Sequence, residues 1–175
     1  MDKLAVKELA IAEGVPVPGG LAGSTGSFPP VEAVLKACGE DVVIKPRAEG
    51  SSVGLRFASG ADELAGVMGN LEEGDWLFEQ RIFGRELTVG ILGSSPLSVV
   101  EIRPEGGVYD YRHKYTAGQT DYLAPAPLGP EVAEQLREAA FTVFNACGCR
   151  DFARVDFRMA DDGEFYLLEI NTIPG

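Results

Sequence analysis

One histidine, His113, serves the whole chain, so no Ser-His-Asp triad and no poly-histidine metal site can be assembled without it. It has no obvious orienting partner, and its default reading is an exposed loop residue. Cysteine is nearly as scarce: Cys38, Cys147 and Cys149 are odd in number and too few for a disulfide framework. Cys147-Gly148-Cys149 lacks the second ligand pair that zinc needs, leaving ordinary buried thiols in a reducing cytoplasm as the expectation. Basic residues are in deficit, 15 Lys and Arg against 27 Asp and Glu, for a net charge of −12. A binder of DNA or RNA backbone would be basic, so nucleic acid is not an expected partner. One nucleotide held in a local Lys/Arg pocket is not excluded. No run approaches the roughly 18 apolar residues of a membrane helix, and Met1 opens no signal-peptide pattern. A membrane is therefore not an expected partner either.

What the chain does have is core-forming material. With 175 residues and 45% apolar content, it can build one good core or two small lobes. Helices are expected over 3–13, closed by Gly14, over 31–38, over 61–71 behind the acidic pair Asp62/Glu63, and over 130–147 with Pro130 in the first turn. Strands are expected over 42–45, 53–57, 75–80, 85–92, 97–102, 151–159 and 164–170. The pair 75–80 and 85–92 is read as joined across Gly84, and the last two strands as a hairpin turned by Asp161-Asp162-Gly163. Residues 19–30 read as a Gly/Pro/Ser loop and 104–121 as a polar, aromatic loop. Helices grouped with mostly antiparallel strands give an α+β class in two lobes, about 1–80 and 81–175.

The strongest chemical signal lies at the end of the chain. Glu169 and Asn171 are two apart on an alternating strand, so they share a face, and Asp156 on the preceding strand can converge on them. Two carboxylates and an amide carbonyl form a hard oxygen set suited to Mg²⁺, which is held by a few protein oxygens plus substrate phosphates. A second signal is Lys45-Pro46-Arg47-Ala48-Glu49-Gly50-Ser51-Ser52-Val53-Gly54. There a strand ends in lysine, and a small loop offers N–H groups and hydroxyls to an anion. It is not a Walker A loop, which runs into a helix; either it closes over phosphates between hairpin strands or it is an ordinary hairpin turn. Glu79 and Glu86 read either as solvated strand-edge acids or as acceptors for a purine amino group and ribose hydroxyls. Lys114-Tyr115 puts a cation and a phenol on an aromatic-rich loop, a composition that favours function.

Taken in order, Met1-Asp2-Lys3, Gly14 to Pro18, Lys45 to Gly54, Glu79 with Gly84 to Val89, Tyr109 to Tyr115, Gly148 to Asp156 and Leu168 to Gly175 resemble the ATP-grasp domain of the D-alanine–D-alanine ligases. The resemblance implies an ATP-grasp fold, with two lobes gripping a nucleotide between them. Residues 1–80 would be the small lobe with the phosphate-covering loop, and 81–175 the large lobe with the metal site. It implies that Lys3 and Lys45 contact ATP phosphates and that Glu79 and Glu86 take the adenine and ribose. Glu49, Gly50, Ser51 and Ser52 would cover the phosphates, with Ser51 also near the reacting substrate, and Lys114 and Tyr115 would close the site. Asp156, Glu169 and Asn171 would hold two Mg²⁺ ions, with Mn²⁺ as an alternative. Arg154 and the Gly175 N–H would stabilise the oxyanion formed when an amine attacks an acyl phosphate.

The implied reaction joins two D-alanines at the expense of ATP, for peptidoglycan, in a cytoplasmic enzyme whose parent family dimerises. There are departures: Arg112-His113 stands where the family has a Glu and a small residue, and Gln80 where a Lys often follows the acid. The family also carries an amino-terminal domain and a Met-Thr-rich carboxy-terminal segment that bind the amino acids. The expectation is that this chain alone binds ATP with Mg²⁺ without ligating. Two alternatives stay open. A D-alanine–D-lactate-type ligase is disfavoured by Tyr115, since those carry His in its place. A nucleotide-binding module or truncated product would bind Mg-ATP and never ligate.

Overall fold

The computed structural model of the chain describes residues 2–50, 53–104 and 120–173. Its contacts divide into two compact units, one of residues 1–4 and 18–81, the other of residues 5–17 and 82–175.

The first unit is a four-stranded antiparallel sheet covered by two helices. In chain order its elements are β1 (Gly20–Ser24), α2 (Val31–Cys38), β2 (Asp41–Pro46), β3 (Arg56–Ser59), α3 (Gly60–Met68) and β4 (Asp75–Gln80). The strand order is β1-β4-β2-β3. Alternation along β2 and β4 sends Val42, Ile44, Trp76 and Phe78 to one face. There they meet Val34 and Cys38 of α2, Ala58 of β3 and Leu64 of α3. Phe28 packs edge-on to Phe78, ring centroids 5.6 Å apart. Because Ile44 and Phe78 face this core, Lys45 and Glu79 must face the other way.

The second unit is a five-stranded antiparallel sheet, in the order β7-β6-β5-β8-β9. Its strands are β5 (Arg85–Leu92), β6 (Ser95–Pro104), β7 (Thr120–Leu123), β8 (Phe152–Met159) and β9 (Phe165–Asn171). The long helix α4 (Pro130–Ala146) starts at Pro130 and buries Leu136, Ala139, Ala140, Val143 and Phe144. These join Leu87, Val89, Val155, Phe157, Leu167 and Ile170 from the sheet. Helix α1 (Lys3–Ala12) adds Val6 and Ala10 to the same core. Each fully buried Val, Leu, Ile or Phe side chain there contributes roughly 1.5–3 kcal/mol.

Several boundaries differ from the sequence reading. β1 lies inside the stretch 19–30 read as loop, because β4 supplies it with a complete partner edge. A Cβ on Gly20 would lie 2.5 Å from the Phe78 carbonyl oxygen, so the approach itself requires glycine. The strand expected from Val53 begins at Arg56, after Gly54 at φ +73°. β4 and β5, read as a joined pair, belong to different sheets. Gly84 between them sits at φ +125°, where a Cβ would lie 2.1 Å from the Met159 carbonyl oxygen. This lets β5 begin flush against β8. β7 begins in the last two residues of the segment read as loop and runs on to Leu123, paired with β6.

Candidate functional site

In the second unit, three neighbouring strands turn their polar residues to the face opposite the α4 core. Cross-strand register puts Thr88 beside Asp156, Asp156 beside Glu169, and Arg154 beside Asn171. A bulge makes this possible. Asp156 pairs with Glu169, yet Phe157 pairs with Leu167, so Leu168 is the extra residue. Without it Leu167 and Glu169 would share a face; with it Leu167 enters the core and Glu169 and Asn171 join Asp156.

Asp156 is the hub of this cluster, with its side chain only 10% exposed. Oδ1 accepts from Thr88 Oγ1 at 2.6 Å and from Arg154 Nε at 2.9 Å. Oδ2 accepts from an Arg154 terminal nitrogen at 3.1 Å and from Asn171 Nδ2 at 2.9 Å. Asn171 Nδ2 also lies 3.5 Å from Glu169 Oε1, so the amide sits where the two carboxylates meet. Turned by half a rotation, its Oδ1 faces the same point, since amide orientation follows the surrounding hydrogen bonds. Two carboxylates and one amide oxygen fit Mg²⁺, whose remaining positions are filled by water and phosphate. Because the third donor is an amide, no group of three His, Cys, Asp or Glu side chains forms a metal cluster among the described residues. Further along the same face, Arg158 pairs with Glu86 at 3.0 Å.

In the first unit, Lys45 Nζ pairs with Glu79 Oε2 at 2.8 Å, the side chains only 13% and 5% exposed. Lys45 is opposite Leu77, and Glu79 opposite Val43, so the pair is diagonal across β2 and β4. Glu79 is buried and is no solvated strand-edge acid; Glu86 is half-buried in an ion pair. The negative charge of Glu79 also acts on Cys38. Burial first, and then that carboxylate, raise the Cys38 thiol to about 11, against a backbone hydrogen bond that lowers it.

Lys3 lies at the start of α1, its ammonium donating to the carbonyls of Pro46, the last residue of β2, and of Glu49 on the loop that follows. Glu49 and Gly50 are exposed on that loop. Thus Lys3, Lys45, Glu49, Gly50 and Glu79 belong to the first unit, and Glu86, Arg154, Asp156, Glu169 and Asn171 to the second. Ser51, Ser52, Lys114, Tyr115 and Gly175, together with His113, lie outside the described residues.

Three polar residues tied to these groups had no role in the sequence reading. Thr88 bonds Asp156 from the next strand; its signal was its place two residues after Glu86, on the same face. Asp2 and Arg47 pair through both guanidinium and carboxylate edges, at 2.8 and 2.5 Å. Nothing in the sequence links these two across 45 positions.

Two antiparallel sheets, each backed by helices, with a lysine-led loop on one and an oxygen cluster on the other, define an α+β protein of the ATP-grasp class. The chain belongs to the family whose model is described as D-ala D-ala ligase C-terminus, matched over residues 26–175. A D-alanine–D-alanine ligase of Syntrophotalea carbinolica is 42% identical over 100% of this chain and 56% of its own length. Another from Methylacidiphilum infernorum is 40% identical over 99% of the chain and 56% of its own length. Among solved structures, a D-alanine–D-alanine ligase from Bacillus anthracis superposes with a TM-score of 0.84 at 29% identity, covering 100% of this chain and 57% of that one. The chain thus spans little more than half the length of these relatives.

Proposed function

We propose that this chain supplies the nucleotide- and metal-binding part of an ATP-dependent D-alanine–D-alanine ligase. The observation that carries the reading is the convergence of Arg154, Asp156, Glu169 and Asn171 on one sheet face, in a chain of this family. In this reading the first unit is the small lobe and the second the large lobe. Lys3 and Lys45 bind the phosphates, Glu49, Gly50, Ser51 and Ser52 cover them, and Glu79 and Glu86 orient the adenine and ribose. Asp156, Glu169 and Asn171 hold Mg²⁺, which when bound neutralises phosphate charge. The lysine ammoniums orient the γ-phosphoryl group for attack by a D-alanine carboxylate, which releases ADP and leaves an acyl phosphate. The amine of a second D-alanine then attacks the acyl carbon, and phosphate leaves as the amide bond forms. Arg154 and the Gly175 N–H stabilise the oxyanion at that carbon, while Lys114 and Tyr115 exclude water. The setting is the cytoplasm, the product serves peptidoglycan, and the assembly is a homodimer.

The test is D-alanine-dependent ADP formation by the protein that carries this chain, with the dipeptide identified by mass spectrometry and L-alanine as control. One dipeptide per ADP is expected. ATP turnover without dipeptide would contradict the ligase reading.

A further inference from the structure

Arg47 is joined to three different parts of the first unit. Its backbone N–H donates to the Asp75 carbonyl at 2.9 Å, fixing it to the start of β4. Its carbonyl accepts the Lys3 N–H at 3.0 Å. Its guanidinium forks onto Asp2, Nε to Oδ1 at 2.8 Å and a terminal nitrogen to Oδ2 at 2.5 Å. Asp2 Oδ1 in turn accepts the Leu4 N–H at 3.0 Å, two residues on, as an N-cap does. One carboxylate therefore caps α1 and grips Arg47, and the first helical residue after that cap is Lys3. Two fixed points, one on each side of its Cα, hold the Lys3 backbone against the strand end that leads into the loop.

We infer that the Asp2–Arg47 fork is a positioning device that aims the Lys3 ammonium at the phosphates of a bound nucleotide. The inference rests on the phosphate-binding role proposed above for Lys3. A lysine that meets a phosphate must order its backbone as well as its rotamers, and a backbone already fixed before binding removes the first of these two costs. The fork geometry matters, because a lysine at 47 could supply charge but not two parallel hydrogen bonds. Arg47 itself is committed to Asp2, so it acts through Lys3.

The experiment compares ATP and adenosine affinities, by calorimetric titration at fixed Mg²⁺, for the parent chain and for Arg47→Ala, Arg47→Lys, Asp2→Asn, Lys3→Ala and the Lys3→Ala/Arg47→Ala pair. Arg47→Ala should weaken ATP about three- to tenfold, a modest effect suited to a pair that is part exposed, and leave adenosine unchanged. Arg47→Lys and Asp2→Asn should fall between. In the Lys3→Ala background Arg47→Ala should cost nothing further. Additive losses would overturn the inference, since Arg47 would then meet the phosphates itself, and so would equal losses for ATP and adenosine. Hydrogen exchange supplies an arm independent of nucleotide: the Lys3 and Leu4 amides should exchange about tenfold faster in Arg47→Ala. Unchanged exchange there overturns the clamp. A parent chain that binds no ATP, with exchange accelerated, would instead contradict the nucleotide reading and the aim assigned to Lys3, leaving only the clamp's geometry.

Discussion

Replacing Lys45 or Glu79 singly should cost far more than replacing both. Their charged atoms are 2.8 Å apart and their side chains 13% and 5% exposed. At that separation the attraction is about 6 kcal/mol for an effective dielectric near 20. Desolvating each ion costs several kcal/mol, which offsets most of that gain. The net contribution of the pair is therefore small, but a single replacement takes from the other buried charge the opposite charge that stands 2.8 Å away. Lys45→Met and Glu79→Leu should each destabilise the first unit by about 3–5 kcal/mol, and the double variant should return to within about 1–2 kcal/mol of the parent. Trp76, the only tryptophan in the chain, lies on β4 three residues before Glu79 and is buried in the first unit's core. Its fluorescence in a urea titration reads unfolding where the substitution acts. Single variants costing under about 1 kcal/mol, or a double variant costing the sum of the singles, would refute the argument.

Lys45→Ala should also weaken ATP binding by about 1–3 kcal/mol, as for a charge-assisted hydrogen bond, whereas Arg56→Ala, removing an exposed β3 side chain that donates to its neighbour's carbonyl, should change titration affinity little. Glu79→Gln should bring the Cys38 thiol down from about 11 without restoring its ordinary value, because burial is the larger cause; thiolate absorbance in a Cys147→Ser/Cys149→Ser background measures this. Hydrogen bonds from Arg85 and Arg103 hold the Glu101 carboxyl below its ordinary value of 4.5. A depressed acid contributes stability that is present above 4.5 and lost as pH falls through the lower, folded value. Glu101→Gln should therefore flatten the acid limb of the stability curve, measured by denaturant titration between neutral pH and pH 3.

Much of this was legible because alternation is strong where it matters. Leu87, Val89 and Ile91, then Val155, Phe157 and Met159, mark core faces at period two, so the polar residues between them had to share the other face. Asp161-Asp162-Gly163 then set β8 against β9, which brought Asp156 to Glu169. The bulge at Leu168 was not legible, since a period-two reading from Leu167 would send Glu169 into the core. β1 was hidden because Gly20-Leu21-Ala22-Gly23-Ser24 has weak strand preference and forms through its pairing with β4. The Lys45–Glu79 and Asp2–Arg47 pairs depend on strand register and on where α1 begins, which local pattern does not specify.

The proposed function requires the β8–β9 oxygen cluster to hold the metal of a bound nucleotide. Its most direct test is calorimetric titration of ATP at fixed Mg²⁺ into Glu169→Gln and Glu72→Gln chains. Glu169 stands beside Asp156 and Asn171, while Glu72 is an exposed acid in the turn before β4. Removing one charged oxygen from the cluster should weaken Mg-ATP at least about tenfold, with the loss shrinking when Mg²⁺ is omitted, and Glu72→Gln should match the parent. Equal Mg-ATP affinity for the two variants would contradict the assignment.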